Sequence, residues 1–67
     1  MEFANNLRMF RIENGLTQVQ LAKKLMVTDS AVRLWETQGR EPDYKMLCKI
    51  AEVLKITVGQ LLGVEDY

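Results

Sequence analysis

Apolar residues along this chain recur at helical spacing, and turn or cap residues punctuate them. Phe3, Leu7 and Phe10 fall at i, i+4 and i+7, which predicts a first helix over about residues 3–14, with Gly15 as its stop. Thr17 opens a second helix, whose inward stripe is Leu21, Ala22 and Leu25. Thr28 opens a third, with Val32 and Trp35 pointing inward and an end near Gly39, ahead of Pro42. Asp43 then precedes a fourth helix, with Leu47, Ile50, Ala51 and Leu54 on one face. Thr57 precedes a short fifth, which carries Leu61 and Leu62 and stops at Gly63. No stretch alternates with period two for long enough to make a sheet. The fold class is therefore all-α. The helices are short and sustain no heptads, so an orthogonal bundle of five is expected rather than a coiled coil. Trp35, the largest side chain of the set, is expected to contribute most to the core. No internal repeat, low-complexity tract or linker stands out, so residues 1–67 read as a single domain.

The segment TQVQLAKKLMVTDSAVRLWE, Thr17 to Glu36, holds two capped helices joined by a tight turn. That is a helix-turn-helix arrangement, whose second helix can enter the major groove of DNA. With Val32 and Trp35 inward, about 100° per residue leaves Ser30, Arg33 and Leu34 outward. Arg33 has the donor fork for guanine, Leu34 suits a thymine methyl, and Ser30 suits base or phosphate. Asp29, at the helix tip, has three readings: an acceptor for cytosine N4, a partner holding Gln18, or a carboxylate that only steadies its own first turn. Thr17 and Gln18 begin the second helix, where unpaired backbone N–H groups make a natural phosphate site.

Charge complicates this reading. Nine Lys/Arg balance nine Asp/Glu in the 67 residues, which argues against a nucleic-acid partner. The distribution softens the objection: residues 1–40 carry six cations against four acids, and residues 41–67 three against five. The basic half coincides with the helix-turn-helix segment, although so small an asymmetry also fits ordinary solvated charge. A hydrophobic content of 48% and a single proline argue against a disordered chain. Without a signal-like N-terminus or an apolar run of membrane length, a cytoplasmic location is expected. The chain has no histidine, no metal-ligand cluster and no glycine-rich phosphate loop, so no enzyme, cofactor or small-molecule ligand is expected. Cys48 lies beside the inward positions of the fourth helix and reads as a small, partly buried apolar residue.

Taken together, LRMFRIENGLTQVQLAKKL, VTDSAVRLWE, GREP and MLCKIAEVLKITVGQLLG closely resemble the lambda-repressor/Cro-like (XRE-type) helix-turn-helix domain over roughly residues 5–63. The resemblance implies five helices and binding of operator DNA as a dimer. It places Arg40 and Lys45 where the family grips the second strand, with Arg8, Lys23 and Lys24 as looser phosphate candidates. It makes Arg11 and Glu36 a structural clamp between the first and third helices. Two departures matter. Met26 stands in the turn where the family usually has glycine, and a left-handed backbone there would cost roughly 1 kcal/mol. Gly39 comes one place later than usual, which bears on the geometry of Arg40. Near the C-terminus, Val58, Leu61, Val64 and Tyr67 either finish the monomer core or form a twofold dimer interface. The expected function is a sequence-specific DNA-binding transcriptional regulator, a repressor acting as a homodimer on a pseudo-palindromic operator of double-stranded DNA. The alternative is a protein-interaction module that keeps the fold without operator binding.

Overall fold

Four of the five helices begin at a side chain that accepts a hydrogen bond from its own first turn. In the computed structural model, which describes residues 2–64, the helices are α1 (Glu2–Glu13), α2 (Gln18–Leu25), α3 (Asp29–Gln38), α4 (Tyr44–Leu54) and α5 (Val58–Leu62). Thr17, Thr28, Asp43 and Thr57 cap α2 to α5, each accepting from the backbone N–H three residues on. Such a bond satisfies one of the donors that every helix start leaves unpaired. At Thr17 and Thr57 the cap is reciprocal, because the Gln20 and Gln60 side chains accept from the cap residue's own N–H at 2.8 and 2.9 Å. Among the described residues there is no strand, and no helix is long and apolar enough to cross a membrane.

The helix ends are as regular as the starts. Gly39 and Gly63 close α3 and α5 at φ of 72° and 80°, the left-handed region that glycine enters at little cost. Met26 closes α2 at φ 61° and Lys55 closes α4 at φ 63°, both with ψ 41°. The conditional expectation at Met26 is thus met, and Lys55 is a second left-handed non-glycine residue that its sequence context gave no reason to suspect. Each of the two lets the next residue fold back onto the helix. Val27 N–H reaches Ala22 O and Ile56 N–H reaches Ala51 O, both at 3.0 Å.

The core gathers one face from every helix: Phe3, Leu7 and Phe10 from α1, Leu21 and Leu25 from α2, Val32 from α3, Leu47, Ile50 and Leu54 from α4, and Leu61 from α5. Two expectations about this core change. Trp35 is only partly buried, packed against the cluster rather than inside it, so it is not the dominant core side chain. Leu61 is wholly enclosed at 0% exposure, so it belongs to the monomer interior and is unavailable to a dimer interface.

Polar side chains tie the helices together where carbonyls would otherwise end without partners. Asn6 donates to Leu61 O at 3.2 Å, joining α1 to the end of α5. Asn14 donates to Leu54 O at 3.2 Å, and Lys49 to Leu25 O at 2.8 Å. A lysine at the negative end of α2 is also favoured by the helix dipole. Every buried side-chain nitrogen and oxygen among the described residues has a hydrogen-bond partner.

Candidate nucleic-acid interface

Helix α3 is placed by one fully buried residue and two neighbours. Val32 is completely enclosed, Ala31 and Trp35 are partly buried, and the helix packs on α1 and α2. Its other face stays open. Asp29, Ser30, Arg33 and Leu34 are all exposed, Leu34 at 47% despite its apolar side chain. The four base-reading candidates therefore lie together on the surface of one helix, and none of them is sealed inside the monomer.

Their mutual geometry adds something the spacing did not suggest. The Arg33 guanidinium folds back along α3: Nη2 donates to Ser30 Oγ at 3.1 Å, and Nη1 lies 4.0 Å from Asp29 Oδ2. Three of the four candidates thus form one polar group. The pair is about half exposed on both sides, so in the free protein water screens it heavily.

The other end of α3 is locked from below. Arg11 donates to the Glu36 carboxylate through Nε at 2.7 Å and Nη2 at 3.1 Å, while its Nη1 holds Leu16 O at 2.8 Å. The Arg11 and Glu36 side chains are 11% and 3% exposed. The Gln18 amide Nε2 donates to the same Glu36 carboxylate at 3.1 Å. Gln18 is thus held by Glu36, and not by Asp29 as one reading of Asp29 required. A single carboxylate on α3 fastens α1 and the start of α2, so the angle between the two helices of the motif is fixed by charge as well as packing.

The remaining phosphate candidates lie on the surface. Thr17 is exposed, and its hydroxyl is engaged by the Gln20 N–H at 3.0 Å. Arg40, just after the αL residue Gly39, and Lys45, in the first turn of α4, are both exposed. So are Arg8, Lys23 and Lys24. Of the interface candidates other than Leu61, Val58 is partly buried against the core, Val64 is 80% exposed, and Tyr67 lies outside the described residues.

Sequence reasoning missed the residues whose role depends on distant partners. Lys49, Asn6 and Asn14 carry no local signal, because each acts on a carbonyl 24 or more residues away. Asp29 and Arg33 could have been paired from their i, i+4 spacing alone. On α4, a hydrogen bond with the Cys48 thiol is the main cause that raises the exposed Tyr44 hydroxyl above the usual phenol pKa. A cleft of about 340 Å³ between α1 and the α4–α5 turn is lined by Met9, Phe10, Glu13, Lys55, Ile56 and Gln60. None of the outward residues of α3 lines it. Among the described residues no group of acids and cysteines is arranged to hold a metal ion.

Residues 7–61 match the family model described as helix-turn-helix. The chain is 40% identical over 64 residues to YqaE of Bacillus subtilis (strain 168), described as an uncharacterized HTH-type transcriptional regulator, covering 96% of this chain and 55% of that protein. It is 35% identical over 66 residues to the HTH-type transcriptional activator BcrR of Enterococcus faecalis, covering 98% of this chain and 32% of that protein. The chain therefore spans about half and about a third of the curated relatives it matches. The matched region contains both helices of the motif, their turn, and the Arg11–Glu36 lock. The chain belongs to the helix-turn-helix family of the XRE type.

Proposed function

We propose that this chain is the sequence-specific DNA-binding unit of a transcriptional regulator, with α3 as the helix that enters the major groove. The observation that carries the reading is the division of α3 into a buried anchor, Val32, and an outward set of Asp29, Ser30, Arg33 and Leu34. That outward face meets the base edges, with Arg33 and Leu34 reaching furthest, while phosphates are held by the start of α2 at Thr17 and Gln18 and by Arg40 and Lys45. The relatives named as transcriptional regulators support the same reading. Two copies would bind half-sites about one helical turn, ~34 Å, apart. Exposed Val64 and partly buried Val58 are the described candidates for contact between copies. Repression results where the operator overlaps a promoter, because an occupied site excludes polymerase. One of the relatives is named an activator, so the position of the operator decides the sign.

A protein-interaction role is the second reading, and exposed Leu34 and acidic Asp29 on the outward face favour it. Selection of bound duplexes from a random library, followed by salt titration, separates the two. A DNA-binding unit enriches one pseudo-palindrome, and log K falls linearly with log salt by about 0.9 for each phosphate neutralised. Failure to retain any duplex at low salt would remove the DNA-binding reading and leave the interaction module. Within the enriched site, Arg33→Ala relaxes preference at one position, whereas Lys45→Ala weakens all sequences alike.

A further inference from the structure

We infer that Asp29 is a positioning residue for Arg33: it holds the guanidinium for a two-point contact with one guanine, and so sets sequence preference without touching a base. The inference rests on the DNA-binding reading above and goes further by naming the base and the device. An acid beside phosphates is a liability unless it does something specific, and here three observations converge on what it does. Asp29 Oδ2 lies 4.0 Å from Arg33 Nη1. Ser30 Oγ takes a bond from Nη2 at 3.1 Å. Both partners precede Arg33 on the exposed face of the same helix, the favourable order for an i, i+4 acid–base pair. The guanidinium is therefore bonded to Ser30 through Nη2 and lies within ion-pair reach of Asp29 through Nη1, and each terminal NH2 keeps a hydrogen to offer. Guanine presents N7 and O6 side by side in the major groove, which matches two parallel N–H donors. In water the tether is weak, but in the groove, where solvent is displaced, the same charge pair strengthens. Arginine loses much rotamer freedom on ordering, and a tether that exists before binding reduces that loss.

The test measures base preference and total affinity on the same set of duplexes. The wild-type chain is first used to select a site, and the base pair whose preference Arg33→Ala weakens most, with a measurable preference remaining, is taken as the arginine's position. At that pair, Asp29→Ala is expected to reduce preference for guanine about 3- to 10-fold, the scale of ordering one long side chain at an interface. Asp29→Glu should restore part of it. On mismatched duplexes the Asp29→Ala chain should bind more tightly than wild type, because a negative charge near phosphates has gone. In the double variant, Asp29→Ala should add no further loss to Arg33→Ala. The far-ultraviolet helix signal of each variant confirms that the fold is kept.

Three results overturn the inference. If Asp29→Ala raises affinity for every duplex equally, the acid is merely repulsive. If it loses preference at a different base pair from Arg33→Ala, Asp29 reads cytosine itself. If the two losses add in the double variant, the residues act independently. In all three the wild-type chain still selects a site, so the DNA-binding reading survives. Should the wild type select no duplex, both fall together.

Discussion

The turn between α2 and α3 has a near twin between α4 and α5, and the pair separates what the motif needs from what its function needs. At a spacing of 29 residues, Leu21, Ala22, Leu25, Met26, Val27, Thr28 and Val32 correspond to Ile50, Ala51, Leu54, Lys55, Ile56, Thr57 and Leu61. Corresponding positions share their environment: leucines buried before each turn, left-handed residues at the turn, threonine caps after it, and a fully enclosed aliphatic in the next helix. The turn itself is thus generic, and the contrast lies in the second helix. Helix α3 has ten residues and an outer face that stays exposed. Helix α5 has five residues, none of them exposed. The function proposed above falls to the copy whose second helix is long and keeps an open outer face.

The strongest way to break this comparison is through the locks on the two second helices, since α3 is held by a buried charge pair and α5 by a neutral amide. Glu36→Ala leaves Arg11 buried without its carboxylate and should cost about 3–5 kcal/mol. Asn6→Ala removes the bond to Leu61 O and should cost about 1–3 kcal/mol. Urea unfolding of both variants measures the difference, and equal losses would show that the charged lock has no special weight.

Next in size is the matched pair of buried leucines. Leu25→Ala and Leu54→Ala should each cost about 2–5 kcal/mol, and by similar amounts if the two turns are equivalent in packing. A large gap in unfolding midpoints would mean that only one turn is set by its core residue.

The smallest effect sharpens the comparison most. Met26→Gly and Lys55→Gly should each raise stability by roughly 0.5–1 kcal/mol, because relief of left-handed strain outweighs the added freedom of the unfolded chain. Thermal melts read both. A gain at one position and none at the other would reveal a compensating contact of the original side chain.

Much of the bundle was legible because its signals are local. Thr17, Thr28, Asp43 and Thr57 announce helix starts, Gly39 and Gly63 announce stops, and the inward stripes come from spacing alone. Lys55 escaped because a lysine at a helix end reads as ordinary surface charge, while Met26 drew notice only where a glycine was anticipated. The 29-residue correspondence was hidden because the exposed residues differ and the second helices differ twofold in length. On the candidate interface, outwardness was readable from the helical period, but partners were not. Gln18 turns to Glu36, eighteen residues away, and only three-dimensional proximity brings these together. The same holds for Lys49, whose reach to Leu25 O depends on how α4 lies across α2. Trp35 misled because size alone does not decide depth, and a residue near the end of a surface helix has little interior to enter.

Gly63 matters beyond its own turn. A methyl group there would come within 2.8 Å of Glu2 Cβ, at a backbone angle of +80° that side chains seldom tolerate. The first and last described helices are therefore zipped edge to edge by the absence of a side chain. Prying that seam open would loosen the floor on which the enclosed Leu61 rests, so a substitution at an exposed helix end would be felt as lost stability of the whole bundle.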